Sequence, residues 1–198
     1  MKITRLHPLT LTGLNLLTIV GSVSLCLLLL PTRFPGMEIL GVGPSWLVMW
    51  MIAWSLHRSI WPAATAGIVL GLIQDAMTLP AAGSLGAVPT THIVSLTIVG
   101  VLTVWLRKHR YSDETIVNVV VLTFILSIVA ELIMAGQYLL QSSIGQSAAV
   151  NFDSFSYLLT DRSPVMLIAG ILSSLWMPIL YCPLHFWWQK MFATTKFI

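Results

Sequence analysis

Thr10-Leu-Thr-Gly-Leu-Asn-Leu-Leu-Thr-Ile-Val-Gly-Ser-Val-Ser-Leu-Cys-Leu-Leu-Leu-Leu30 runs without one charged side chain. A bilayer core of about 30 Å needs roughly 20 apolar residues in a helix, and this stretch supplies them. Lys2 and Arg5 ahead of it give the outline of a signal peptide. The apolar run is too long for an h-region, however, and no small-x-small cleavage site follows. A lipoprotein reading of Cys26 fails as well, because bulky Leu25 precedes it and apolar residues continue after it. The stretch reads as a first membrane span.

The remainder of the chain has the same character. Of 198 residues, 57% are apolar and 9% charged, with a mean hydropathy of +0.88. Soluble domains carry about 25% charged residues, so there is too little polar surface here to cover a globule in water. The expected fold class is an all-α integral membrane protein, one domain over residues 1–198. The spans read as Thr10–Leu30, Met37–Leu56, Trp61–Leu79, Ala87–Leu106, Ile116–Leu140 and Val165–Trp187. In the second, Pro44 follows Gly41 and Gly43, which predicts a broken or re-entrant outer part. Connections are short except Gln141–Pro164. Cys26 and Cys182 lie apart in apolar runs, which suggests neither a disulfide frame nor a metal site.

The basic residues give the direction. With six spans, Lys2, Arg5, Arg58, Arg107, Lys108, Arg110, Lys190 and Lys196 share one side, and only Arg33 and Arg162 fall on the other. The positive-inside rule then predicts cytoplasmic N- and C-termini in a bacterial inner membrane. Trp54, Trp61, Trp105, Trp187 and Trp188 fall at the same boundary, where indoles prefer to sit. A net charge of +3 is thus explained by anchors near lipid headgroups, and no nucleic-acid surface is implied.

Ionisable groups inside spans are costly, about 2.5–3.5 kcal/mol for a central charge. Asp75 in the third span, His92 in the fourth and Glu131 in the fifth are such groups, with Gln74 beside Asp75. Counting about 1.5 Å per residue puts all three in the outer half of the membrane, where they could meet. They could bind a ligand or relay protons; as often, intramembrane polar groups act as glue between helices. Spacing shows no HExxH and no paired Cys/His motif, so no metal or cofactor is expected. Gly67-Ile-Val-Leu-Gly71 is a GxxxG that permits close helix approach. Trp46, Trp50 and Trp54 recur every four residues, a stripe that packing or lipid contact explains better than ligand stacking.

Leu79-Pro-Ala-Ala-Gly-Ser-Leu-Gly86 predicts a tight outer turn, and Pro89 fits the first turn of the next helix. In the long loop, Phe152, Phe155 and Leu159 have the spacing of a short amphipathic helix on the outer surface or against a partner. No nucleophile elbow, phosphate loop or glycosidase carboxylate pair appears.

Gly71-Leu-Ile-Gln-Asp75 followed by Leu85-Gly86 resembles the hallmark of the rod shape-determining MreD family. Pro89-Thr-Thr-His92-Ile-Val-Ser-Leu, Val99-Gly-Val-Leu-Thr103, Arg107-Lys-His-Arg-Tyr111, Ala130-Glu131 and Ile171-Leu-Ser-Ser-Leu-Trp-Met-Pro178, ending near Pro183, resemble one branch of it. The likeness runs from about Pro44 to Trp188, although the interval from Asp75 to Gly86 is longer than in the commonest pattern. The resemblance implies six helices similar to the S-component fold of energy-coupling-factor transporters. It also implies a non-catalytic role beside MreC, MreB, RodA and a class B penicillin-binding transpeptidase, supporting side-wall peptidoglycan synthesis. Gly71, Asp75 and Gly86 are then signature positions, with His92 and Glu131 as their companions. Two alternatives are an S-component for a vitamin or metal ion and a lipid-modifying enzyme using Asp75, Glu131 and His92. S-components typically carry Ala-x-x-x-Ala in the first span, and Thr10–Leu30 holds no alanine.

Overall fold

A computed structural model of the chain describes residues 8–32, 37–78, 91–109, 115–145 and 163–195. These form six helices: α1 (Pro8–Leu29), α2 (Trp46–Ser55), α3 (Ile60–Thr78), α4 (His92–His109), α5 (Ile116–Gly145) and α6 (Ser163–Thr195). Four of them, α1, α3, α5 and α6, are long and apolar enough to cross a membrane. The protein is therefore a membrane-embedded helical bundle.

The second expected span is the one that departs most from a simple crossing. Only Trp46–Ser55 is helical, 10 residues, which at 1.5 Å per residue is about half of a bilayer core. Before it the chain reverses between Ile39 and Val42, which exchange both backbone hydrogen bonds at 3.0 Å. Leu40 and Gly41 between them have φ of 55° and 79°, the type I′ pattern that twists with its flanks. Pro44 then has no N–H to give, and Ser45 N donates to Ser173 Oγ on α6 at 3.0 Å. The break predicted from Pro44 is present, and its backbone groups are satisfied by the turn and by α6, as hydrocarbon surroundings demand.

This short helix is the centre of the fold. Every α2 residue except Trp54 is buried, and α4, α6, α1, α3 and α5 all pack on it. The Trp stripe is packing: Trp46 meets Trp176 edge-on at 5.9 Å and Trp50 stacks on Trp54 at 5.8 Å. One expectation needs correcting here. Trp61 and Trp105 are exposed, as interfacial indoles should be, but Trp188 is only 2% exposed and belongs to the core.

By contrast α1 is peripheral, with Cys26 its one buried residue among positions 12–29. Its polar tie to α2 is a hydrogen bond from Trp50 Nε1 to Ser22 Oγ at 2.9 Å. Interhelical bonds of this kind contribute about 0.6–1.7 kcal/mol in membranes. Ser22→Ala, which removes the acceptor with little change in packing, is expected to lower stability in detergent by about 1 kcal/mol, read by thermal unfolding.

Gly86, the Leu79–Gly86 turn, Pro89 and the Phe152–Leu159 pattern lie outside the described residues.

Candidate functional site

The site begins with how closely α3 and α4 approach. Ala63, Gly67, Gly71 and Asp75 stand four apart and so share one face of α3. A Cβ placed on Gly67 would lie 2.6 Å from Thr97 Cα, and one on Gly71 would lie 2.4 Å from Ile93 Cα. On the facing helix, a Cβ on Gly100 would come 3.0 Å from the Ala63 carbonyl oxygen. The GxxxG of the sequence is thus a backbone-to-backbone seam, which only glycine allows.

Asp75 ends that seam. Its Oδ1 accepts from the His92 backbone N–H at 2.8 Å and sits 2.6 Å from His92 Nδ1. His92 is the first residue of α4, five residues later than the sequence suggested, so its backbone N–H is one of the donors at a helix start. Helix N-termini leave backbone donors without partners and carry positive partial charge. α4 has no acid of its own in its first turn and has Arg107, Lys108 and His109 in its last. The neighbouring helix supplies the missing carboxylate. An ionised carboxylate can only accept, so in that state the proton of this contact sits on His92 Nδ1. Asp75 Oδ2 is buried without a partner among the described residues, which makes the clamp sensitive to any shift of α3.

His92, Gln74 and Glu131 line one cavity of about 200 Å³, together with Ser95, Met134 and the Pro44–Val48 entry to α2. The three ionisable residues expected to meet are thus gathered at one end of the bundle, Asp75 and His92 in contact and Glu131 across the cavity. Neutral groups that sequence reading missed tie the same region together. Ser95 Oγ donates to the Ala130 carbonyl at 3.2 Å, and Thr91 Oγ1 donates to Gln137 Oε1 at 3.3 Å. Hydroxyls and amides do not stand out in a sequence the way a charge does. Among the described residues, no three of His, Cys, Asp and Glu converge as metal ligands.

A second cluster, also missed, lies near the basic boundary. His57 Nε2 is 3.2 Å from His185 Nδ1, Tyr181 Oη is 3.0 Å from the same nitrogen, and Gln189 Nε2 is 2.7 Å from His185 Nε2. All three contacts converge on the His185 ring. Arg107 donates to the Leu56 carbonyl from α4. Together these bonds fasten the turn after α2 to α4 and α6. The i, i+4 spacing of Tyr181, His185 and Gln189 is the signal in the sequence that could have found it.

Fold and site together define a helical membrane protein in which the Asp75–His92 pair holds two helices together. The model of the rod shape-determining protein MreD family matches residues 11–190, and the chain belongs to that family. Its place is therefore in the membrane machinery that sets rod shape. Comparison with curated proteins and with solved structures gives no match.

Proposed function

We propose that the protein is a non-catalytic membrane scaffold of the rod complex, supporting side-wall peptidoglycan synthesis. The observation that carries this reading is the Asp75–His92 contact: the signature carboxylate holds the start of α4. A scaffold needs such rigidity, and a reaction centre would need the carboxylate for something else. In this reading the chain crosses the inner membrane six times with both termini cytoplasmic, α2 and its preceding turn completing one crossing. The helix arrangement is similar to an S-component, and Gly71, Asp75, Gly86, His92 and Glu131 shape the surface partners use. Those partners are MreC first, with MreB, RodA and a class B penicillin-binding transpeptidase in the same assembly. The match to the MreD family over most of the chain supports that set.

Depleting the protein from a rod-shaped host should round the cells, and MreC should accompany it through purification in mild detergent. Normal shape with intact side-wall synthesis after depletion would sink the proposal. A stably folded Asp75→Ala variant should lose partner assembly while its own membrane insertion is retained.

A further inference from the structure

A groove of about 480 Å³ lies between α1 and α6, floored by Trp46. Its walls run from Thr18 to Leu29 and from Trp176 to Trp187, each about 16 Å long at 1.5 Å per residue. That is close to half of a bilayer core of about 30 Å, the depth one leaflet's chains occupy. The hydroxyls of its α1 wall do not need a ligand. Thr18 Oγ1 donates to the Leu14 carbonyl, and Ser22 Oγ donates to the Ile19 carbonyl while accepting from Trp50. The occupant along this length is therefore hydrocarbon.

Size separates an acyl chain from a partner helix. A helix with side chains is about 10 Å across, so this volume would hold about one turn of it. It lies instead within the range of about 300–1,000 Å³ that ligand clefts occupy.

One end of the groove carries polar groups. On α6, Trp176, Leu180, Pro183 and Trp187 share one face, and the next position on that face is Lys190. Its ammonium lies 4.0 Å from the Phe186 ring centre. Trp187 Nε1, at the same end, is a buried donor without a partner among the described residues. On α1, Asn15 stands one turn before Thr18, and its buried Oδ1 is an acceptor in the same condition. A cation, a donor and an acceptor gathered at one end of an apolar groove suit the headgroup of an anionic amphiphile.

We propose that this groove holds one acyl chain of an anionic phospholipid, with its headgroup at the Lys190 end. The proposal does not depend on the scaffold reading. Native mass spectrometry of the detergent-purified protein, titrated with dioleoyl phosphatidylglycerol or dioleoyl phosphatidylcholine, tests it. One phosphatidylglycerol should bind per chain where phosphatidylcholine does not. Lys190→Gln should weaken that binding about fivefold, and Trp187→Phe should weaken it while keeping the ring. Ile179→Trp, at a lining position 65% exposed, should fill the groove and remove the site. Equal retention of both lipids by native protein, Lys190→Gln and Trp187→Phe overturns the proposal, whether or not Ile179→Trp folds. So does an Ile179→Trp protein that keeps phosphatidylglycerol but loses a co-purifying membrane partner, since the groove would then seat a helix.

Discussion

Gly71→Ala is expected to destabilise the protein more than the added methyl group suggests. The new Cβ would stand 2.4 Å from Ile93 Cα and 2.7 Å from Ile93 N, where carbon contacts belong at about 3.5–4.0 Å. Both obstacles are backbone, so no rotamer change relieves them and the two helices must move apart. Overpacking of this kind costs about 1–3 kcal/mol. The movement also lengthens the 2.8 Å bond from the His92 N–H to Asp75, and a lost cap costs about 1 kcal/mol more. For a chain of this size the sum corresponds to a drop of roughly 5–15 °C in the unfolding midpoint in detergent. Gly136→Ala is the matched control, because a Cβ there meets nothing within 4 Å. It should be neutral or slightly stabilising, alanine being the better helix former by up to about 1 kcal/mol. Equal behaviour of the two variants would mean that the α3–α4 seam does not exist as described.

Asp75→Ala should be nearly as damaging, for an electrostatic reason. It leaves the His92 N–H and Nδ1–H without their acceptor, in a setting with little water to replace it. An unsatisfied buried donor costs about 1–3 kcal/mol, which is the loss expected here. Asp75→Asn keeps a carbonyl oxygen for the backbone donor and should lose about 1 kcal/mol. The order native, Asn, Ala in thermal unfolding is the signature of a cap. A double-mutant cycle with His92→Ala should show coupling of about 0.5–3 kcal/mol. Independent effects of the two changes would argue that the residues merely lie side by side.

Much of the bundle is legible from hydrophobic length and from the few charges that interrupt it. The Thr10–Leu30 stretch became α1, shifted by two residues at its start, and Pro44 with its glycines marked where the second span fails. That α2 would be the most enclosed element was not legible. Its Trp-rich sequence looks the same whether it faces lipid or protein, since hydrocarbon and a packed core select similar side chains. For the same reason Trp188 was read as an interfacial anchor when it is core. Asp75, His92 and Glu131 announced themselves because an ionisable group in a span needs an explanation. Their geometry did not, because the start of α4 at His92 is set by a carboxylate on another helix. The His57–His185 contact joins positions 128 apart, a separation over which no local pattern carries information.

Shape rescue by a protein without intramembrane carboxylates tests the central claim, that the signature residues act by holding helices. Asp75→Asn combined with Glu131→Gln removes both acids and keeps side chains of the same shape, with an oxygen still available to the His92 N–H. Cells depleted of the native protein and supplied with this variant should stay rod-shaped, with a length-to-width ratio near that given by the native chain. Cells rounding while the variant is present in the membrane at native levels would contradict it, and would assign the carboxylates a chemical role.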